Sequence, residues 1–200
     1  TWQKGKELRG SLGQGSADVI VAVVDSGVDI THPDLSNNIW TNPSEKPNNA
    51  IDDDHNGFID DVHGWDFLVS NNDPRPKLGS PSDLTKSPLG IHHGTIVAGL
   101  IGAQGDNNEG VAGIAWHVSI MPIRAIYSDG TGDAVTVARA IDYAIKNHAN
   151  IINLSFVGDT NVPLLSEAIA RAHARDILIV AAAGNEITQS DGSKRVFDLD

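Results

Sequence analysis

Hydrophobic and polar positions along the chain follow two alternating patterns. Short, nearly continuous apolar runs that are rich in β-branched residues and bounded by turn residues are typical of strands buried on both faces of a parallel sheet. The first is "DVIVAVVDSG", and three more follow it: "VSIMPIRAI", "NIINLSF" and "DILIVAAAGN". Segments with helical patterns lie between them. This alternation predicts an α/β fold, a doubly wound parallel sheet with helices on both faces.

Three helices are predicted between these strands. The first is a helix of small residues over 93–102, the second is capped by Asp133, and the third opens at Pro163. In the second and third, apolar residues recur at helical spacing, which marks the side expected to face the core. The predicted inward positions are Val137, Ile141 and Ile145 in the second helix, and Leu165, Ile169 and Ala172 in the third.

A different composition separates the first strand from the first helix. Residues 36–90 contain most of the prolines together with many Asn, Asp and Ser residues, which is typical of loop rather than core. We interpret this segment as an insertion within one domain that covers residues 1–200. With 40% hydrophobic residues, a chain of 200 residues can build one sizeable core.

Charge and composition narrow the function classes. The formal net charge is −12, which argues against nucleic acids and anionic membrane surfaces as partners. No apolar run reaches membrane-spanning length, and the opening residues have no hydrophobic signal core. We therefore expect neither nucleic acid nor membrane as a partner. The absence of cysteine excludes disulfides and thiol catalysis.

Candidate chemistry lies where the predicted strands end. Asp25 follows the first strand, Ser155 ends the third, and Asn185 follows the fourth within a glycine-flanked turn. In such sheets the functional groups lie beyond the carboxyl ends of the strands, and the helix that begins at His93 can bring an imidazole to the same edge. Each residue alone also fits an ordinary turn or helix start. Their combination favours a catalytic site.

Three stretches carry a resemblance to a known family. "VAVVDSGVDITHPDL", "HGTIVAG" and "VAAAGN" resemble, in the same chain order, the three successive signatures of the subtilisin-like serine proteases. The resemblance implies a serine endopeptidase whose base is His93, the histidine directly before Gly-Thr. Asp25 would orient the imidazole, and Asn185 would donate its side-chain amide to the oxyanion. Ser26 and Gly27 are expected only to shape the turn.

The same resemblance implies partners, a location and a missing part. Polypeptide substrates and an inhibitory propeptide are the expected partners, and the protein is expected to be secreted. The family's nucleophile lies in a Gly-Thr-Ser-x-Ala segment, which this sequence does not contain. Two interpretations stay open. Either the serine lies downstream of residue 200, so that the sheet is incomplete at the C-terminus and the fragment alone is inactive, or the chain is a non-catalytic calcium-dependent binding or scaffold domain.

Two segments resemble the edges along which the family binds an extended substrate. The residues assigned to them by resemblance are Ser155, Phe156, Val157 and Gly158 on one edge, and Gly130 and Gly132 on the other. Val157 departs from the family's usual glycine, and its side chain is expected to narrow the first specificity pocket. His92 is interpreted as a loop or substrate-edge residue. The alternative for both segments is ordinary loop after a strand.

The stretch "IDDDHNGFIDD" predicts a calcium loop within the insertion at about residues 36–90. Asp52, Asp54 and Asn56 alternate before a glycine, so their oxygens can converge on one hard cation. Asp60 or Asp61 would close the site. The alternative is a solvated turn of Asp and Asn residues.

A second cation site is indicated by resemblance to the family's high-affinity calcium loop. It would use Asp34 together with Asn107 and backbone carbonyls near Gly110 and Val111. Calcium is therefore the cofactor that the sequence predicts.

Overall fold

A computed structural model of the chain describes residues 14–78, 90–158, 162–184, 187–188 and 194–195. The strands are β1 (Gly15–Asp25), β2 (Trp65–Asp66), β3 (His117–Arg124), β4 (Ile151–Leu154), β5 (Leu178–Ala181), β6 (Ile187–Thr188) and β7 (Lys194–Arg195). The α-helices are α1 (His93–Gly102), α2 (Ala134–Lys146) and α3 (Pro163–His173), and 3₁₀ turns lie at Ser36–Asn38 and Gly90–His92.

Five strands form one parallel sheet in the order β2-β3-β1-β4-β5, and β6 pairs with β7 in a separate antiparallel ribbon. β1 lies between β3 and β4, both of which follow it in the chain, so the direction of winding reverses at β1. In open α/β sheets the functional crevice lies beyond the carboxyl ends of the strands at such a reversal. Asp25 is the last residue of β1 and therefore lies at this crevice.

Both faces of the sheet are covered by helices. Val21 and Val23 of β1 belong to a buried cluster with Ala98 of α1, whereas Ala22 and Val24 belong to the cluster that includes α2 and α3. The last five residues of β1 are all buried. The predicted doubly wound α/β sheet is thus confirmed, with α1 on one face and α2 and α3 on the other.

The helices begin where the sequence predicts. Asp133 caps α2 through its side chain, and α3 opens at Pro163. The predicted inward position of Ile169 is wrong, because its side chain is 38% exposed while Ala168 is 0% exposed. Ala168 and Ala172 are about one turn apart and share the core-facing side of α3, and Ile169 is rotated away from Ala168 by about 100°. No helix within the described ranges has the length and apolar character needed to cross a membrane.

The insertion contributes a strand and several aromatic residues to the domain. β2 pairs with β3 through Trp65 and Asp66, a short edge strand that the sequence pattern did not reveal. Two residues are too few to show an alternating pattern. Trp40 and Phe67, on either side of the acidic stretch, are each 5% exposed and join the main core. These contacts anchor the insertion to the sheet.

Candidate active site

Asp25 and His93 form a hydrogen-bonded pair at the carboxyl edge of the sheet. β1 ends at Asp25 and α1 begins at His93, so the two elements bring together residues that are 68 positions apart. His93 Nδ1 lies 2.8 Å from Asp25 Oδ1 and 3.0 Å from Oδ2. The Ser26 N–H also donates to Asp25 Oδ1, at 2.7 Å. The carboxylate is therefore held from two directions.

The two partners differ in exposure. Asp25 is 2% exposed, whereas 49% of the His93 side chain is exposed. With Nδ1 bound to the carboxylate, Nε2 is the ring nitrogen that is left to exchange a proton with a reacting group. A fixed buried carboxylate behind a reachable imidazole is the arrangement that a general base requires.

Two glycines allow the chain to pack closely around this pair. Gly27 has φ of +106°, and a Cβ there would lie 2.8 Å from the carbonyl oxygen of Pro74. A Cβ on Gly94 would lie 2.4 Å from the carbonyl oxygen of Gly27. Gly94 allows the first turn of α1 to approach the end of β1, and Gly27 allows the segment 74–76 to pass close to the same turn.

A cavity of about 160 Å³ lies beside the pair. Its lining residues are Asp25, Ser26, Gly90, His93, Ile126, Tyr127, Gly130, Ser155 and Phe156. Three residues assigned to the substrate edges by resemblance, Gly130, Ser155 and Phe156, thus line the same cavity as the Asp25–His93 pair. The cavity is open to solvent and offers apolar and polar walls to a bound chain.

The other predicted substrate residues lie further along the same two segments. Val157 is 44% exposed, and a Cβ added to Gly158 would meet no atom within 4 Å. At Gly132 a Cβ would lie 2.6 Å from Ile126 Cδ1, so this glycine packs against a wall of the cavity. Asn185 lies outside the described residues, and its role stays a prediction.

An acidic cluster in the insertion consists of Glu45, which the sequence analysis did not name, and of Asp52 and Asp54, which it did. One carboxylate oxygen each from Glu45, Asp52 and Asp54 lies within 4.8 Å of the others. Glu45 is 7% exposed. Its Oε1 accepts hydrogen bonds from the N–H groups of Asp53 and Asp54, but Oε2 has no partner among the described residues. A buried carboxylate oxygen without a partner is unfavourable. These carboxylate oxygens are suitable ligands for a hard cation.

Glu45 could not be recognised from the alternating run of acidic residues, because it lies before that run and outside its spacing. The run itself forms a compact loop. The Asn56 N–H donates to one oxygen of Asp52 and one of Asp54, and the Asn56 side chain donates to Asp54 and Asp61. The structure therefore brings these four predicted ligands into one connected group.

Asp60 and Asp61 have different surroundings from the first part of the run. Asp60 accepts hydrogen bonds from the N–H groups of Asn49 and Ala50, each at 3.0 Å, and so fixes the loop backbone. Asp61 is 0% exposed and accepts a 2.6 Å hydrogen bond from the Tyr143 hydroxyl of α2. Burial raises the pKa of Asp61 to about 6.

The residues of the predicted second cation site are also in contact. Asp34 is 2% exposed, and its carboxylate accepts hydrogen bonds from the Val111 N–H at 2.8 Å and from Asn107 Nδ2 at 3.0 Å. The Val111 N–H, followed by Asn107, lowers the pKa of Asp34 below its ordinary value. Asp34 therefore ties the chain after β1 to the loop that follows α1.

Comparison with known proteins identifies relatives. A sequence model of the subtilase family matches residues 16–197. Subtilisin-like protease 1 of Plasmodium vivax is 32% identical over 166 residues, which are 82% of this chain and 24% of that protein. The Thermophilic serine proteinase of Bacillus sp. (strain AK1) is 32% identical over 185 residues, 92% of this chain and 36% of that protein. The Major intracellular serine protease of Bacillus subtilis (strain 168) is 32% identical over 183 residues, 91% of this chain and 46% of that protein.

This chain spans less than half the length of each of these relatives. The family match nevertheless covers nearly all of the chain, from the first strand of the sheet to beyond the last. The fold is also the doubly wound parallel sheet that the three sequence signatures imply. The chain belongs to the subtilase family.

Proposed function

We propose that this chain is part of a serine endopeptidase that cleaves peptide bonds by acyl transfer through an Asp-His-Ser triad. Asp25 and His93 are the first two members of the triad. The observation that carries the proposal is their hydrogen bond, with His93 Nδ1 2.8 Å from a carboxylate that is 2% exposed. The relatives named serine proteases support the same reaction class.

Each residue of the pair has a distinct task in this reaction. His93 takes the proton of the serine hydroxyl on Nε2 while the serine oxygen attacks the substrate carbonyl carbon, and it then returns that proton to the leaving amine. Asp25 keeps the other ring proton on Nδ1 and stabilises the imidazolium that forms between the two transfers. Water, activated by the same imidazole, then hydrolyses the acyl-enzyme.

The nucleophile is assigned to a serine downstream of residue 200. The two serines that line the cavity already have partners, since Ser26 Oγ accepts from the Gly94 N–H and Ser155 Oγ accepts from Asn153 Nδ2. Ser26 is also only 3% exposed. On this proposal the 200-residue chain alone does not hydrolyse peptides, and the Asn185 amide contributes to the oxyanion hole of the complete enzyme.

Substrates on this proposal are polypeptides bound in extended form between two segments, residues 128–132 and residues 154–158. Extended peptides bind by adding a strand to free backbone edges, and both segments border the cavity next to His93. An inhibitory propeptide would occupy the same cleft. The Val157 side chain would limit the size of the residue accepted before the scissile bond.

Calcium is the proposed cofactor. Glu45, Asp52, Asp54 and Asn56 would hold one ion, and Asp34 with Asn107 would hold a second. When bound, calcium neutralises crowded carboxylates and fixes the loops that carry them. The proton transfers of peptide hydrolysis involve only the triad.

A secreted location is proposed as well. One relative is named an intracellular protease, so fractionation of the producing cells tests the location.

Labelling of the full-length protein with a serine-directed fluorophosphonate tests the proposed function. Wild type is expected to react, His93→Ala to lose the labelling, and the neighbouring variant His92→Ala to retain most of it. If both variants lost labelling equally, the assignment of His93 as the base would be wrong. If the folded wild type stays unlabelled but binds calcium, the alternative is correct, and the protein is a non-catalytic calcium-dependent binding domain.

A further inference from the structure

Ser26 has two hydrogen bonds that connect both halves of the Asp25–His93 pair. Its backbone N–H donates to Asp25 Oδ1 at 2.7 Å, the same oxygen that lies 2.8 Å from His93 Nδ1. Its side-chain Oγ accepts from the Gly94 N–H at 3.2 Å, in the first turn of α1. One residue thus contacts the carboxylate through its backbone and the helix that carries the imidazole through its side chain.

The 3₁₀ turn Gly90–His92 runs directly into α1, and the residue before α1 supplies no side-chain cap. His92, at the position before the helix, has a helical backbone conformation and makes no side-chain capping hydrogen bond. The first N–H groups of a helix need acceptors from outside the helix. Ser26 supplies one from the end of β1, 68 residues earlier in the chain, and so takes the part that a serine at the N-cap position usually has.

The contact between the end of β1 and the start of α1 is buried and tight. Ser26 is 3% exposed, and a Cβ on Gly94 would lie 2.4 Å from the Gly27 carbonyl oxygen. A hydroxyl buried at such a contact links the start of α1 to the residue that follows β1. The imidazole of His93 projects from the residue next to Gly94, and its position depends on that contact.

We propose that Ser26 is a positioning residue for the catalytic pair, because its hydroxyl caps α1 from β1 and thereby sets the distance between Asp25 and His93. The sequence predicted only a turn-shaping role for Ser26, and this proposal adds a positioning role to it. This inference rests on the proposed function for its kinetic consequence. The hydrogen bond between His93 and Asp25 can, however, be observed directly and without substrate.

The test compares Ser26→Ala with Ser26→Thr in the full-length protein. Ser26→Ala is expected to lower kcat by about 10- to 100-fold, because small displacements of a catalytic group have losses of this size, and to leave KM within about twofold. The low-field ¹H NMR signal of the His93 Nδ1 proton is expected to shift or broaden. Ser26→Thr retains the hydroxyl and is expected to restore both kcat and the signal.

Ser119→Ala is the matched control. Ser119 Oγ is also hydrogen-bonded to the backbone, but it donates, to the Ala17 carbonyl at 2.6 Å, and it lies at the amino end of β3. It is expected to change neither kcat nor the His93 signal. If Ser26→Ala does not fold, Ser26→Cys, with a weaker acceptor of similar size, is expected to show an intermediate shift of the signal.

The outcomes separate this inference from the proposed function. An unchanged kcat and an unchanged His93 signal in Ser26→Ala would overturn the positioning role, as would a loss that Ser26→Thr does not restore. If neither wild type nor variants hydrolyse peptides, but the signal shifts in Ser26→Ala and returns in Ser26→Thr, the positioning role stands. In that case the proposed protease activity is wrong.

Discussion

At the scale of single residues, the candidate chemistry depends on one buried carboxylate and one accessible imidazole. Asp25 is 2% exposed, and it receives hydrogen bonds from the Ser26 N–H as well as from His93. A carboxylate held in this way cannot rotate to follow the ring. The ring is therefore oriented by the carboxylate, and its tautomer is set by the acceptor that faces Nδ1.

Asp25→Asn removes the negative charge of the side chain and keeps its shape. It therefore tests how the carboxylate sets the tautomer of His93. If the asparagine amide donates to Nδ1, the ring proton is on Nε2. Nε2 then cannot accept the proton of the serine hydroxyl. We expect kcat to fall by roughly 10⁴-fold, the size of loss known for this substitution in Ser-His-Asp enzymes. The measurement is kcat of the full-length protein on a peptide substrate, with circular dichroism as a check of folding. A loss below tenfold would show that Asp25 does not set the tautomer.

A second prediction at the residue scale concerns Val157 and the size of the substrate residue that is accepted before the scissile bond. Its side chain is 44% exposed in the segment that follows β4, where the family usually has glycine. We expect Val157→Gly to raise kcat/KM for substrates with a large aromatic residue before the scissile bond by about 10-fold, since even one methylene more or less in a hydrophobic pocket has an effect of roughly 10- to 200-fold. Substrates with a small residue there should change little. Equal changes for both substrates would contradict a pocket role.

At the scale of the elements, α2 connects the segment 128–132, which is proposed to bind substrate, to the acidic loop. Its first residue follows the segment that contains Gly130 and Gly132. Near its other end, the Tyr143 hydroxyl donates to Asp61 and Lys146 Nζ donates to the Asn56 carbonyl. One amphipathic helix thus fixes two loops with different proposed roles, and its stability matters to both.

The cap of α2 supports a prediction about stability and pH. Asp133 accepts hydrogen bonds from the Thr136 hydroxyl at 2.6 Å and from the Thr136 N–H at 2.9 Å, and these bonds lower the pKa of Asp133 below its ordinary value. We expect Asp133→Ala to reduce the free energy of unfolding by about 0.5–2 kcal/mol. A lowered carboxyl pKa stabilises the fold above the unfolded-state pKa, and that contribution is lost as pH falls through the folded-state pKa.

The control for this prediction is Asp133→Asn. Asparagine caps a helix about as well as aspartate, but its side chain does not titrate. The comparison is urea unfolding of the three proteins at neutral pH and at successively lower pH. The advantage of wild type over Asp133→Ala should shrink as pH falls through the folded-state pKa of Asp133, which lies below its ordinary value, while the advantage of Asp133→Asn over Asp133→Ala should not change with this titration. A constant difference between wild type and Asp133→Ala would contradict the charge-dependent part.

The elements show what a sequence can and cannot predict here. The bounds of α1 agree with the expected 93–102, because a run of small residues between a histidine pair and a loop is a strictly local signal. Ile169 was misplaced because its spacing fits two faces of a short helix, and only packing against α2 selects Ala168. Glu45 and the proposed capping role of Ser26 were missed for other reasons. Glu45 lies before the acidic run and outside its spacing, and Gly94, the partner of the Ser26 hydroxyl, lies 68 residues away, so neither periodicity nor motif spacing encodes these contacts.

At the scale of the whole molecule, the proposed cation loop and the proposed catalytic pair, Asp25 and His93, lie at opposite ends of the sheet. A cavity of about 530 Å³ is lined by Asp54 and Asn56 of the acidic loop together with Ala17, Ser119 and His148. Ala17 lies near the amino end of β1 and Ser119 near the amino end of β3, whereas Asp25 is at the carboxyl end of β1. A change at the acidic loop should therefore alter stability without displacing Asp25 and His93.

Calcium is expected to raise the melting temperature of the full-length protein. The carboxylates of Glu45, Asp52 and Asp54 repel one another unless a cation lies among them, and a ligand that binds only the folded state stabilises it by RT ln(1 + [L]/Kd). At a calcium concentration of about one hundred times Kd this amounts to roughly 2.7 kcal/mol. For a domain of this size the melting temperature should rise by roughly 5–10 °C.

Two substitutions assign that shift to the cluster. Asp54→Ala removes one carboxylate, and Glu45→Gln removes the charge of the buried side chain whose Oε2 has no partner among the described residues. Each should abolish most of the calcium-dependent shift, measured by thermal unfolding in millimolar calcium and in excess chelator. Glu167→Gln, an exposed carboxylate on α3, is the matched control and should retain it. Fluorophosphonate labelling of the variants in the cold should remain close to that of wild type, because Asp25 and His93 lie at the other end of the sheet. If wild type melts at the same temperature with calcium and with chelator, the loop is a solvated turn, and the orphaned Glu45 oxygen has some other partner.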